Sequence, residues 1–221
     1  MRVVEVRRYP VKSLRGESLE RADVEARGVV GDRWWALREP DGKLGSGKST
    51  RRFRKMAGLL ELAATYDGDV PVVTLPDGST WRAPDPALDE ALTAYVGRPV
   101  ALRQESDVEH HDEGPLHLVT TATLDRLGAD GALLRANLVV DVPGIQPFAE
   151  DLWAGRELRF EDGPVLVVRE PMPRCVMVGS AVLHEATRLN EGSAGVVVDV
   201  VSGGPVAIGQ HVVLGDRAPA R

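Results

Sequence analysis

The chain has 221 residues, 43% hydrophobic and 27% charged, with a formal net charge of −6. That length supports one large domain or two small ones with real cores, and the acidic balance excludes a general binder of nucleic acid or anionic membranes. No apolar run approaches the roughly 20 residues of a spanning helix, and the single cysteine, Cys175, excludes an intrachain disulfide, a multi-cysteine zinc site and a cysteine-held iron–sulfur cluster.

At the N-terminus, "MRVVEVRRYPV" alternates apolar and charged residues. The period of two predicts a strand rather than a signal peptide, and with it a cytoplasmic protein. "GKLGSGKST" (Gly42 to Thr50) then fits the P-loop pattern through Gly42, Gly47, Lys48 and Ser49. The pattern holds phosphate only where a buried parallel strand feeds it and a helix leaves it. Here the preceding "REPDG" reads as a turn, and Pro40 would cost a central strand a ladder bond. A Gly-rich connection is therefore expected, with nucleotide hydrolysis as the rejected rival. "RRFRK" (Arg51 to Lys55) reads as a solvated basic face, and "TRRFRKMAGLLELAA" as a helical candidate interrupted at Gly58.

"PVVTLPDGSTWRA" predicts a hairpin turning at Asp77-Gly78. "DPALDEALTAYVG" predicts a helix: Asp85 caps it, Pro86 suits its first turn and Gly97 ends it, with Leu88, Ala91, Leu92, Tyr95 and Val96 on one face. The Pro- and Asp-rich stretch Arg82 to Asp89 is the expected seam, giving domains 1–84 and 85–221. "EHHDEG" (Glu109 to Gly114) carries metal-ligand residue types. Adjacent His110 and His111 would point apart on a strand, however, and no other histidine has zinc-site spacing to them, so a solvated loop is expected.

Further on, "TTATLDRLG" predicts a short helix with a Thr cap and a Gly128 stop, and "RANLVVDV" an apolar strand. "ELRFEDGPVLVV" reads as a hairpin at Asp162-Gly163, "SAVLHEATRL" as a short amphipathic helix, and "GVVVDVVSGGPVAIGQHVVL" as a hairpin around Gly203-Gly204. His184 and His211 stand isolated. Many short strands with few helices predict a mainly β, barrel-like fold with a few short helices and not a doubly wound parallel sheet. Within "EPMPRCVM", Pro171 and Pro173 stiffen the approach to Cys175, and Arg174 beside it favours the thiolate, the form that attacks or binds metal.

Several segments, in order, resemble one family. "YPVKSLRG" (Tyr9 to Gly16) and "GDRWW" (Gly31 to Trp35) resemble the N-terminal β-barrel signature of MOSC proteins. "LVTTATLDRL", "RANLVV", "FAEDLWAG" and "PRCVM" resemble the MOSC domain itself, a group that includes the mitochondrial amidoxime reducing component. The resemblance implies a β-barrel MOSC domain preceded by a smaller N-terminal β-barrel-like domain. It also implies molybdenum cofactor, with Cys175 as metal ligand and catalytic thiolate. Lys12, Ser13, Arg33, Thr120, Thr121, Arg135, Asn137 and Arg174 are the implied cofactor-binding residues, where Arg suits bidentate phosphate contact and Lys a point charge. The implied activity is two-electron reduction of small N-oxygenated substrates, with electrons from a separate donor protein and no nucleic-acid or membrane partner. A non-catalytic cofactor carrier or sulfur-transfer protein is the alternative. Two departures bear on substrate and proton delivery: no Asp-Pro-Asp-Thr-Gly stretch follows the cysteine, and Thr121 stands where those reductases carry an acid.

Overall fold

The computed structural model describes residues 1–218. The mainly β class with a few short helices is what it shows: strands in four sheets, and three α-helices, among the described residues. No sheet closes on itself by strand pairing in that set. Among the described residues no helix is long and apolar enough to cross a membrane.

The chain divides into two compact units built from discontinuous stretches. The first comprises Met1–Arg7, Ser18–Val30 and Glu113–Arg221; the second comprises Arg8–Glu17 and Gly31–Asp112. The seam expected at residues 84 and 85 lies inside the second unit. Helix α1 (Pro86–Val96) explains this, because its Leu88 and Leu92 are fully buried in a core with Val11, Leu14, Leu37, Leu62 and Val73. Its local signals act as predicted: the Asp85 carboxylate accepts from the Ala87 N–H at 2.8 Å, and Gly97 ends the helix at φ 71°.

In the first unit, an eight-stranded sheet has the order Val212–Arg217, Arg156–Phe160, Val165–Pro173, Ser193–Ser202, Leu116–Thr120, Leu138–Asp141, Arg2–Arg8, Glu17–Leu19. Leu116–Thr120 and Leu138–Asp141 run parallel, joined through helix α2 (Thr121–Leu127). The period of two sorts their side chains. Leu116, Leu118, Leu138 and Val140 enter one core with Leu158, Leu166, Val196 and Val198. Val119 and Val139 face the other way, onto Leu124 and Leu127 of α2 and Val182 and Ala186 of helix α3 (Ser180–Asn190).

Two expectations are corrected. Residues 50–64 form no α-helix: Phe53–Lys55 is a strand and only Leu59–Glu61 makes a 3₁₀ turn. Gly58 at φ 78° breaks the run, while Met56, Leu59 and Leu62 still reach the core. The glycines at 203 and 204 do not turn a hairpin. Gly204–Ala207 pairs with Arg21–Glu25 instead, and a Cβ at Gly203 would stand 2.5 Å from the Val24 carbonyl oxygen. The glycines permit close approach between strands.

Candidate functional site

Within the second unit, the two N-terminal motifs meet around Asp32, which is fully buried. Its carboxylate accepts the Tyr9 N–H at 2.7 Å and pairs with the Arg33 guanidinium, which also sits 5.0 Å from the Tyr9 ring centroid. His111 Nε2 lies 3.7 Å from the same carboxylate. Burial alone would raise the Asp32 carboxyl; Arg33, His111 and the Tyr9 amide together outweigh it and hold the pKa at about 2.

Lys12 is buried as well. Its ammonium donates to the Asp112 carboxylate at 2.5 Å and to the His110 carbonyl at 2.9 Å, and lies 4.1 Å from the Phe53 ring centroid. Asp112 would be raised by burial, but Lys12, with Lys48 and Arg33 behind it, holds it below the usual carboxylate range. Ser13 is 3% exposed, with its hydroxyl 3.5 Å from the Gly45 carbonyl.

The loop expected at Glu109 to Gly114 is present, with Glu109 and Glu113 exposed, but its two histidines are not solvated. His110 and His111 are 3% and 4% exposed. The His110 N–H donates to Glu105 at 2.6 Å, and its ring nitrogen Nδ1, facing a carbonyl, carries the proton it gives to Arg33 at 2.9 Å. Polar and charged neighbours from other stretches of the unit satisfy the two histidines, which lets them be buried. Among the described residues no group of three or more His, Cys, Asp or Glu is placed to hold a metal ion. At the P-loop match, Leu44–Ser46 is a strand beside Phe53–Lys55, and no helix leaves the segment. Lys48 lies 3.8 Å from Asp112.

In the first unit, the strand Val165–Pro173 delivers Cys175 to the start of the 3₁₀ turn Val176–Val178, where the thiol is half-buried. The Arg174 N–H donates to the Gly192 carbonyl at 2.8 Å. Its guanidinium donates to the Leu134 carbonyl at 2.6 Å and lies 3.5 Å from His117 Nε2. His117 is 3% exposed and its Nε2–H donates to the Ala194 carbonyl at 3.2 Å. Asn137 spans two strands: its carbonyl oxygen accepts the His117 N–H at 3.1 Å, and its amide donates to the Arg7 carbonyl at 3.3 Å.

Thr120 and Thr121 stand at the other end of the parallel strand pair from His117 and Asn137. The Thr120 hydroxyl meets Glu150 at 3.0 Å and Thr123 at 3.2 Å, and its N–H donates to Glu150 at 3.3 Å. Thr121 donates to Asp141 at 2.8 Å. Burial pushes the Glu150 carboxyl up, against the pull of these bonds.

Residues 1–93 match the family model of the MOSC N-terminal beta barrel domain. The match covers less than half of the chain and shows a likeness to the MOSC N-terminal domain over that stretch. The matched MOSC stretch contains Lys12, Ser13 and Arg33 and ends within α1. No curated protein matches the chain in sequence. Among solved structures, the chain is similar to the YuaD protein of Bacillus subtilis, at 15% identity and a TM-score of 0.52, over 98% of this chain and 96% of that one. A hypothetical protein is similar over 98% of this chain and 69% of its own, at 12% identity and a TM-score of 0.48. YiiM from Geobacillus stearothermophilus is similar over 46% of this chain and 54% of its own, at 16% identity and a TM-score of 0.35. The likeness to YuaD is one of fold.

Among the described residues six non-glycines take a positive φ: Phe148, Asp162, Glu191 and three of the residues implied by the resemblance. Ser13, Arg33 and Arg135 take the left-handed conformation at φ 66°, 53° and 55°. For a residue with a Cβ this costs on the order of 1–2 kcal/mol, and such strain concentrates where a side chain must be presented in one direction. Three further residues, Asp32, His117 and Glu150, are important to the geometry and are not among those implied by the resemblance. The one signal for His117 was its place in "LHLVT", on the same strand face as Val119.

Proposed function

We propose that this chain holds molybdenum cofactor through Cys175 and acts as a cytoplasmic oxidoreductase on small N-oxygenated compounds, with electrons from a separate donor protein. The observation that carries this reading is the left-handed backbone at Ser13, Arg33 and Arg135. Glycine would remove the strain at each, yet all three positions keep polar side chains of the kinds that hold a phosphate or a pterin. The donor chemistry fits the group. One thiolate completes a metal site only when the other soft ligands arrive with the metal, as the dithiolene of a pterin does. Guanidinium forks suit its phosphate.

When bound, the cofactor supplies oxygen-atom and two-electron exchange at its metal. The chain's own part is to bind and orient. Cys175 provides the thiolate ligand from a turn whose start is anchored by the Arg174 N–H on Gly192. Arg135 offers its fork to the phosphate. Asn137 and Thr120, whose polar groups bond within the unit, fix the strand ends on either side. Lys12, Ser13 and Arg33 belong to the second unit and remain in the proposed set as separate positions to test.

The test is to purify the protein from a host that makes molybdenum cofactor and measure molybdenum and pterin per chain. The expected result is near one of each for wild type, and loss of molybdenum in Cys175→Ser. Wild type lacking both overturns the reading. If wild type is loaded, reduction of hydroxylamine or an amidoxime by an artificial donor identifies an enzyme; a loaded chain that reduces neither is the carrier.

A further inference from the structure

Arg174 follows two prolines and precedes the proposed metal ligand, so its simplest role is to favour the Cys175 thiolate as a neighbouring cation. Its contacts assign it other work. The guanidinium donates to the Leu134 carbonyl at 2.6 Å and packs 3.5 Å from the buried His117 ring. That carbonyl belongs to the Leu134–Arg135 peptide, immediately before the residue held at φ 55°.

The turn containing that peptide is held locally by three backbone bonds. The N–H groups of Leu134, Arg135 and Ala136 donate to the carbonyls of Asp130, Ala132 and Gly131 at 3.1, 3.1 and 2.8 Å. A left-handed residue in such a turn relaxes unless neighbouring peptide planes are fixed. A charge-assisted bond from a guanidinium is about twice as strong as a neutral one and constrains the carbonyl's direction. Arg174 is itself anchored, because its own N–H is bonded to Gly192.

We infer that Arg174 is a positioning residue: it clamps the Leu134–Arg135 peptide and so sets the direction in which Arg135 is presented, tying that arginine to the Cys175 turn. This deepens the proposed function and rests on it for the purpose of the arrangement. The clamp itself is made by the chain's own groups.

The experiment uses the full-length chain without cofactor, as wild type, Arg174→Gln and Arg174→Lys. Amide hydrogen exchange is read at residues 134–137, with Val196–Val198 in the central strand as the internal reference. Cys175 alkylation by iodoacetamide is followed from about pH 6 to 10. In Arg174→Gln, exchange at 134–137 is expected to speed up about tenfold relative to the reference. Its alkylation profile should stay within about twofold of wild type, and Arg174→Lys should restore part of the protection. Exchange at 134–137 that keeps step with the reference overturns the inference, whether through no change or through general loosening. A shifted alkylation profile with unchanged exchange overturns it too, by assigning Arg174 to the thiol. Because no molybdenum is measured, failure of the clamp and failure of the cofactor reading are separate results.

Discussion

The backbone N–H of Tyr9 donates to the carboxylate of Asp32 at 2.7 Å, across 23 residues of chain. Two motifs that read as separate signatures, "YPVKSLRG" and "GDRWW", are thus one piece of structure. The Arg33 N–H closes the pair by donating to the Tyr9 carbonyl at 2.7 Å. Asp32 is the centre, collecting Tyr9, Arg33 and His111 around a fully buried carboxylate.

Removing that charge strands its partners. Asp32→Asn is expected to lower stability at neutral pH by about 3–5 kcal/mol, the usual cost of breaking one side of a buried pair. The pH dependence has a definite sign. A pKa of about 2 lies below the unfolded value, so the carboxylate's contribution is present above about pH 4 and is lost as pH falls toward 2. Urea unfolding at neutral pH and near pH 2.5 checks this. The gap between wild type and Asp32→Asn should narrow at the lower pH.

Glu150 carries the opposite sign. Burial raises its pKa, so its favourable contribution is present below the unfolded value and is lost as pH rises through the folded one. Glu150→Gln keeps the acceptor for the Thr120 N–H and removes that loss. Its unfolding midpoint should therefore improve relative to wild type as pH rises. A gap that is constant with pH would count against the account.

Thr120→Val tests the same hub from the other side. It deletes the hydroxyl that meets Glu150 and Thr123 and receives the Thr123 N–H at 3.3 Å. A loss of about 1–3 kcal/mol is expected by denaturant titration, the range for leaving buried polar groups unsatisfied.

Gly195 makes room for His117. It adopts φ 71°, and a Cβ there would stand 2.5 Å from His117 Nε2 and 2.6 Å from the Leu118 carbonyl oxygen. Gly195→Ala should destabilise the fold by more than about 2 kcal/mol, since backbone strain and a clash with fixed backbone add. Thermal unfolding checks it.

Glu191 ends α3 at φ 51° and is exposed. Glycine has no Cβ penalty at such a helix end. Glu191→Gly is accordingly expected to stabilise by about 1 kcal/mol, raising the unfolding midpoint by roughly 2–4 °C. No change in cofactor content is expected from it.

The sequence by itself determined what depends on neighbours along the chain. The cap and stop of α1 at Asp85 and Gly97, the Thr120 cap of α2 and the hairpin at Asp77-Gly78 are local, and each formed where its residues predicted. The lone cysteine likewise limits the metal chemistry from the sequence alone. Tertiary structure decided what depends on distant partners. Gly203 and Gly204 read as a turn because nothing local shows that the next strand pairs with Arg21–Glu25. His110 and His111 read as solvated because the groups that let them be buried, Lys12, Arg33 and Glu105, include two from 77 to 98 residues away. The grip of Arg174 on Leu134, forty residues back, was equally invisible. Local geometry is encoded within a few residues; the pairing of buried charges and strand edges is settled only when remote segments compete for the same hydrogen bonds.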